Sequence, residues 1–267
     1  MIRRRWSFPL IATWVAAALA ACATPAATSP AAPEERTLTV FAAASLTEAF
    51  REIGAAFEAA NPGVSVVFNF ANARALRTQI EEGAIADVFA SANPDEIDAL
   101  AAADELLGAA EPFARNELAI IVPPDNPAGL ETPWDLARPG LKLVLAAEEV
   151  PVGKYARQML EQMDGLYGAG YRDAVMANAV SNEDNVKQVV AKVQLGEADA
   201  GIVYASDAMA APELVRIEIP ADVNVIAVYP IAVLQSSLEP ELGQAFTEYV
   251  LSDAGQAVLQ AWGFRAP

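Results

Sequence analysis

The chain has 267 residues, of which 35 are acidic, 17 are basic and none is histidine, so its formal net charge is −18. A surface this acidic repels other polyanions, which excludes binding to nucleic acid or to an anionic membrane through surface charge. Cys22 is the only cysteine, which excludes a disulfide within the chain.

The first 21 residues predict an export signal. Arginines at positions 3–5 precede an apolar run at 8–19, which is too short for a permanent membrane span. The run leads into Leu-Ala-Ala-Cys, ending at Cys22, which resembles the bacterial lipobox and implies lipidation of that cysteine. The alternative is an ordinary signal peptide with an incidental cysteine. Residues 22–36, rich in Ala, Thr, Pro and Ser, then predict a disordered tether between a lipid anchor and a folded body.

Strand-like and helix-like segments alternate along the rest of the chain. Apolar runs bounded by turn residues predict strands at 37–42, 64–70, 88–91, 118–122, 143–146, 200–204 and 224–234. Helical spacing of apolar residues predicts helices at 47–60, 75–82, 94–103, 153–163, 184–195, 241–251 and 253–262. This alternation predicts an α/β fold with a mainly parallel sheet that has helices on both faces.

Two segments, at 114–118 and 228–231, have the pattern of crossings between two halves of the body. A second crossing returns the C-terminal segment to the first half. The predicted division is therefore lobe I, at 37–115 and 231–267, and lobe II, at 116–230. Hinged lobes of this kind bind a ligand in the cleft between them, beyond the carboxyl ends of the strands.

Ser45 lies where the first predicted strand passes through three alanines into a helix. This position places its hydroxyl beside the first free N–H groups of the helix, and such a point attracts anions. The alternative is that Ser45 only caps the helix, as serines often do. Tyr204 follows Gly-Ile-Val at the end of another predicted strand, where side chains face the cleft.

Four segments, in order along the chain, resemble the molybdate-binding proteins of bacterial ABC importers. They are the segments at 40–46, 76–89, 150–156 and 201–208, and the pairs at 255–256 and 263–264 also agree. The resemblance implies a two-lobed periplasmic-binding-protein type II fold, each lobe being a mainly parallel sheet flanked by helices. It also implies a protein without enzymatic activity that captures molybdate or tungstate and delivers it to an ABC permease.

The resemblance further implies a site in which neutral hydrogen-bond donors hold a tetrahedral dianion. Ser45 would donate from its hydroxyl and backbone N–H, Tyr204 from its phenol, and Val152 and Val186 from backbone N–H groups. Ala73 stands where the family usually has a second serine, so only its backbone N–H remains. For each valine the alternative is an ordinary core residue beside a helix start.

Loss of the hydroxyl at position 73 would cost roughly 1.5–3 kcal/mol of binding free energy, or about ten- to a hundredfold in affinity. Asn72 or Arg74 would be the residues that compensate, and the alternative for Arg74 is a solvated residue at a helix start. This departure leaves sulfate, another oxyanion or a small organic acid open as the ligand.

No free metal cation, cofactor or catalytic group is expected. The chain has no histidine, no second cysteine and no Gly-x-Ser-x-Gly or phosphate-cradling glycine-rich motif, which leaves an exported enzyme as a remote alternative. The expected protein is a monomer on the outer face of the cytoplasmic membrane, attached only through its lipid. Its expected partners are the oxyanion and the transmembrane subunits of a permease, and nucleic acid is not among them.

Overall fold

The computed structural model describes residues 35–267. The predicted export signal, the lipidation site at Cys22 and all but the last two residues of the predicted tether lie outside this range. Within the described range, no helix is both long enough and apolar enough to cross a lipid bilayer.

Strands and helices alternate along the described part of the chain. The strands are β1 Arg36–Ala43, β2 Val64–Ala71, β3 Val88–Ala90, β4 Glu111–Val122, β5 Leu143–Ala146, β6 Ala179–Glu183, β7 Ala200–Tyr204, β8 Val215–Ile217 and β9 Ile226–Val233. The helices are α1 Thr47–Ala60, α2 Ala73–Glu81, α3 Pro94–Ala102, α4 Pro151–Tyr167, α5 Tyr171–Met176, α6 Val186–Gln194, α7 Ala205–Met209, α8 Pro240–Leu251 and α9 Asp253–Ala261. Short 3-10 turns at Ala44–Leu46 and Pro133–Ala137 complete the order.

The predicted strands and helices are all present, but several bounds differ. β4 begins at Glu111 rather than at 118, and α4 begins at Pro151 rather than at 153. β6, β8, α5 and α7 have no counterpart in the sequence predictions. β6 ends in three polar residues, and β8, α5 and α7 are too short and too mixed in polarity to define an apolar period. β9 continues through Pro230, which lies opposite Pro112 where the register of β4 shifts, so the missing N–H falls at an irregular point of the ladder.

Hydrogen bonds join the strands in the order β2-β1-β3-β9-β4-β7-β5-β6, with β8 paired to β4. β1 runs parallel to β2 and β3, and β5 runs parallel to β6 and β7. The pairs of β9 with β3 and β4, and of β4 with β7 and β8, are antiparallel. Two parallel groups of strands therefore lie on either side of a central antiparallel pair. This confirms the predicted two-lobed α/β fold and adds antiparallel strands at its centre.

β4 and β9 form the connection between the two parallel groups. Their register runs from Glu111 opposite Ile231 to Glu117 opposite Ile226. Both predicted crossings lie in this pair, and the predicted lobe boundaries fall inside the same two strands. Below, the first lobe is the side that carries β1–β3, and the second lobe is the side that carries β5–β7.

Buried apolar side chains fix α1, whose start follows Ser45, against the sheet. Phe50, Ile53 and Phe57 are buried at helical spacing along one face of α1. The ring of Phe50 contacts those of Phe113 and Phe246, with centroids 5.6 and 6.0 Å apart. The aromatic packing holds the start of α1, and with it Ser45, in a defined place.

Candidate functional site

A small cavity lies where several strands end and the next helices begin. β1 ends at Ala43, β2 at Ala71, β5 at Ala146 and β7 at Tyr204, all close to its wall. The lining residues are Ala43, Ala44, Ser45, Asn72, Ala73, Ala92, Val150, Pro151, Val152, Asn185, Val186 and Tyr204. The structure therefore brings together the five positions predicted to bind an oxyanion, together with Asn72.

The cavity has room for one compact guest. Its volume is about 20 Å³ when measured as the space open to the centre of a water-sized sphere. A single water needs roughly 10–15 Å³ on the same measure. An extended ligand such as a peptide or an oligosaccharide does not fit this space.

The helices α2, α4 and α6 begin at the cavity, which places their first backbone N–H groups in its wall. The side-chain oxygen of Asn72 caps α2 by accepting from Ala75 N at 2.7 Å, and that of Asn185 caps α6 by accepting from Gln188 N at 3.1 Å. Both caps satisfy the third N–H of their helix, so the first N–H groups, at Ala73 and Val186, have no intrahelical partner.

The third of these helices, α4, begins with Pro151, which has no N–H to satisfy. The first N–H of α4 is therefore that of Val152, whose residue lines the cavity. The N–H of Lys154 donates to Val150 O at 2.9 Å, so intrahelical bonding starts only beyond Gly153. Val152 thus offers a donor without an intrahelical partner, as Ala73 and Val186 do.

The hydroxyl of Ser45 lies on the first-lobe side of the cavity. Ser45 is in the middle of the 3-10 turn that leads into α1, and it is buried. Its Oγ is 2.9 Å from the Oη of Tyr229, a residue of β9 that does not line the cavity. The structure therefore places Ser45 at a helix start, as predicted, and adds a buried partner behind it.

Tyr204 is buried at the end of β7, and the polar group next to its hydroxyl is that of Tyr229. The Oη of Tyr204 makes no hydrogen bond of normal geometry with any of residues 35–267. Burial is the main cause of a pKa well above the ordinary value for tyrosine, and the neighbouring Tyr229 adds to it. The phenol therefore keeps its proton, and an unpaired buried O–H is costly unless it finds an acceptor.

Arg74 lies outside the cavity, although it was a candidate for a compensating contact. It is exposed, and it lines a neighbouring groove with acidic residues and Lys154. Asn72 does line the cavity, but its amide is engaged elsewhere: Oδ1 caps α2, and Nδ2 donates to Asp184 O at 2.8 Å. Of the described residues in the cavity wall, none carries a charged side chain.

Ion pairs join the two lobes beside the cavity. Lys187, in the first turn of α6, contacts Glu48 of α1 at 2.6 Å and the buried Asp207 of α7 at 3.0 Å. Burial lowers the pKa of Lys187, but Asp207 and Glu48 more than offset this, so the pKa is raised and the side chain stays charged. A second pair joins Lys154 of α4 to Asp95 of α3.

The sequence predictions contain neither these cross-lobe pairs nor the partner of Ser45. Ion pairs between helices far apart in the chain leave no local pattern, so the sequence carries no signal for Lys187 and Glu48. For Asn116 the sequence does carry a signal, because this polar residue comes just before the apolar run at 118–122. The structure shows that Asn116 is fully buried. Its amide lies 3.5 Å from Tyr229 Oη.

The arrangement can hold a compact anion by hydrogen bonds. Backbone N–H groups at helix starts, with their helix dipoles, favour negative charge, and two hydroxyls add further donors. Within residues 35–267, no group of three or more carboxylate or thiol side chains is placed to hold a metal ion. The cavity wall likewise holds no carboxylate that would accept a proton from a ligand.

Known proteins are similar to this chain in sequence and in fold. The family model for bacterial extracellular solute-binding proteins matches residues 38–265. The molybdate-binding protein ModA of Mycobacterium tuberculosis is 40% identical over 270 residues, which cover 98% of this chain and 100% of that protein.

Two solved structures show the same fold at lower identity. The periplasmic molybdate-binding protein of Azotobacter vinelandii has a TM-score of 0.76 at 20% identity, covering 86% of this chain and 99% of that one. The sulfate-binding protein SubI of Mycobacterium tuberculosis has a TM-score of 0.77 at 19% identity, covering 86% and 87%. The family match and the 40% identity show that this chain belongs to the bacterial extracellular solute-binding proteins.

Proposed function

We propose that this protein captures molybdate or tungstate outside the cytoplasm and delivers it to the permease of an ABC importer. The observation that carries the proposal is the convergence of Ser45, Ala73, Val152, Val186 and Tyr204 on one small cavity. The 40% identity to a named molybdate-binding protein over nearly the whole chain supports the same ligand. The cavity serves binding and delivery, and no catalytic step is proposed for it.

Neutral donors favour a fully deprotonated dianion. Hydrogenphosphate carries a proton that needs an acceptor, and the cavity wall offers no carboxylate to receive it. Sulfate is fully ionised but smaller, so its oxygens would fall short of donors spaced for molybdate. The net charge of −18 opposes any anion, but this field is screened within roughly 8 Å at physiological salt.

Sulfate or another oxyanion is the second candidate, because Ala73 supplies no hydroxyl. Native mass spectrometry of the purified protein, offered molybdate, tungstate, sulfate and phosphate together at equal concentration, decides between them. A bound mass of molybdate or tungstate is the expected result. Sulfate alone would favour the second candidate, and binding of none of the four would contradict both.

The mechanism follows from the cross-lobe position of the donors. Ser45 and Ala73 belong to the first lobe, and Val152, Val186 and Tyr204 to the second, so a bound anion bridges the two. Such bridging shifts an equilibrium between open and closed forms towards the closed form, which a permease can distinguish. The division into lobe I, at 37–115 and 231–267, and lobe II, at 116–230, describes the two moving bodies.

The protein is proposed to act as a monomer attached to the outer face of the membrane by a lipid on Cys22. The support is the lipobox-like sequence that ends at this cysteine, and the tether-like composition of residues 22–36. Mass spectrometry of the mature N-terminal peptide tests the attachment. A diacylglyceryl cysteine is expected there, and an unmodified N-terminus would contradict it.

Ala73→Ser is expected to raise the affinity for molybdate by up to about tenfold. The new hydroxyl would lie at the start of α2, in the cavity wall, and add a hydrogen bond to a charged ligand. Titration calorimetry measures the change. Ala75→Ser is the matched control, because Ala75 lies on the same helix but does not line the cavity. Equal affinities for Ala73→Ser and the wild type would show that the hydroxyl does not reach the anion.

Glu48→Gln is expected to weaken molybdate binding about two- to fivefold. The variant removes one carboxylate of the cross-lobe pair with Lys187, and a pair that is about a third exposed contributes roughly 1 kcal/mol or less. The difference from the wild type should shrink as salt is added. Glu52→Gln is the matched control on α1, because Glu52 accepts from Trp262 Nε1 at 2.8 Å within the first lobe. A loss of the same size in both variants would contradict a role for the cross-lobe pair.

A further inference from the structure

A chain of buried polar side chains lies behind Ser45, away from the cavity. Tyr229 of β9 and Asn116 of β4 are fully buried, and Ser206 of α7 is nearly so. Asn116 Nδ2 lies 2.8 Å from Ser206 Oγ and 3.5 Å from Tyr229 Oη, and Tyr229 Oη lies 2.9 Å from Ser45 Oγ. None of these three supporting residues lines the cavity.

The orientation of the Asn116 amide is set by the backbone. The N–H of Glu117 points at Asn116 Oδ1 over 3.0 Å. A backbone N–H only donates, so the amide atom that faces it must be the oxygen. Nδ2 therefore faces Ser206 and Tyr229, and it donates to both.

The next hydrogen bond along the chain joins Tyr229 to Ser45. Tyr229 Oη accepts from Asn116 and has one proton of its own to donate. Either oxygen of the 2.9 Å contact between Tyr229 Oη and Ser45 Oγ could be the donor, and the Tyr204 hydroxyl also interacts with Tyr229 but makes no hydrogen bond of normal geometry. We therefore take Ser45 Oγ as the acceptor of the Tyr229 proton. Burial raises the pKa of Tyr229, so this proton stays in place.

We propose that Asn116 and Tyr229 are positioning residues that make the Ser45 hydroxyl a donor towards the cavity. Ser45 Oγ accepts from Tyr229, so its own proton is left for the ligand. Because Ser45 Oγ already accepts from Tyr229, only one of its two lone pairs is left to accept the proton of hydrogenphosphate or hydrogenarsenate. The directed hydroxyl therefore helps the site to reject protonated oxyanions. This inference rests on the proposed function, because it concerns the same site.

A double-mutant cycle tests whether Tyr229 acts through Ser45. Tyr229→Phe is expected to weaken molybdate binding about tenfold and to reduce the preference for molybdate over phosphate by at least that factor. In a Ser45→Ala background, the same change should alter the affinity less than twofold, because there is no hydroxyl left to direct. Titration calorimetry with molybdate and with phosphate gives all the affinities.

Two outcomes would overturn the inference. One is an unchanged affinity in Tyr229→Phe, and the other is an equal loss in both backgrounds, which would indicate a general structural effect. Tyr171→Phe is the control for deletion of a buried phenol hydroxyl, because Tyr171 donates to Pro133 O and does not line the cavity. If Tyr229→Phe does not fold, Asn116→Ala takes its place in the cycle and must show the same dependence on Ser45.

Failure of this inference and failure of the proposed function give different results. If the wild-type protein binds none of the four oxyanions in the mass spectrometry experiment, the proposed function is wrong. If it binds molybdate and the cycle shows no coupling between Tyr229 and Ser45, only the positioning role is wrong.

Discussion

Tyr204→Phe is expected to weaken molybdate binding about ten- to a hundredfold without making the ligand-free protein less stable. The Tyr204 hydroxyl has no hydrogen bond of normal geometry to any described residue, and its polar neighbour Tyr229 keeps its contacts with Ser45 and Asn116 when the hydroxyl is removed. The ring, which is fully buried and packs on Tyr229 with centroids 5.7 Å apart, is retained. Only the bond to the charged ligand is lost, and such a bond contributes roughly 1.5–3 kcal/mol.

The measurement pairs titration calorimetry with urea unfolding of the ligand-free protein. Tyr171→Phe should show the opposite pattern, because its hydroxyl donates to Pro133 O far from the cavity wall. It should lose about 1 kcal/mol of unfolding free energy and keep its affinity for molybdate. Tyr204→Phe with wild-type affinity would remove the phenol from the proposed ligand set.

Gly153→Ala is expected to lower both stability and anion affinity. A Cβ at Gly153 would lie 2.0 Å from Ala147 O and 2.5 Å from Ala146 O, which are backbone atoms at the end of β5. The start of α4 must therefore move away from the strand, and the N–H of Val152 moves with it. Overpacking of this kind costs about 1–3 kcal/mol, and the displaced donor should reduce molybdate affinity at least tenfold.

Gly165→Ala is the matched control for this substitution, since it lies on the same helix. Apart from the adjoining residues and backbone of its own helix, no atom lies within 4 Å of the position that a Cβ would take at Gly165. Replacement of an exposed helical glycine should raise the unfolding free energy by about 0.5–1 kcal/mol. Its molybdate affinity should equal that of the wild type. A Gly153→Ala protein with unchanged affinity would show that the first turn of α4 does not touch the anion.

The candidate site was more predictable from the sequence than the contacts around it. Ser45 and Tyr204 lie at ends of strongly apolar strands, where local pattern alone indicates a cleft-facing position. Val152 and Val186 look like core residues, and only the family resemblance distinguishes them. Their proposed contribution is a backbone N–H group, which any side chain could accompany, so residue type carries no information.

Contacts between elements far apart in the chain could not be predicted. Lys187 and Glu48 are ordinary charged residues of amphipathic helices until the fold brings α6 against α1. For Arg74, the local sequence pointed to a contact that the structure does not show. Its position at a helix start suggested an anion contact, whereas its side chain lies in the neighbouring groove. The direction in which a helix-start side chain points depends on the packing of the whole helix, which local sequence does not define.

The antiparallel pairing of β4 with β9 limits how the protein can open. Because the two strands are bonded to each other on both sides of the hinge region, neither can slide along its neighbour without breaking a whole ladder and turning every side chain to the opposite face. The register of this pair therefore opposes sliding of β4 along β9. We therefore expect the two halves to open by a combination of flexing and torsion at this one strand pair.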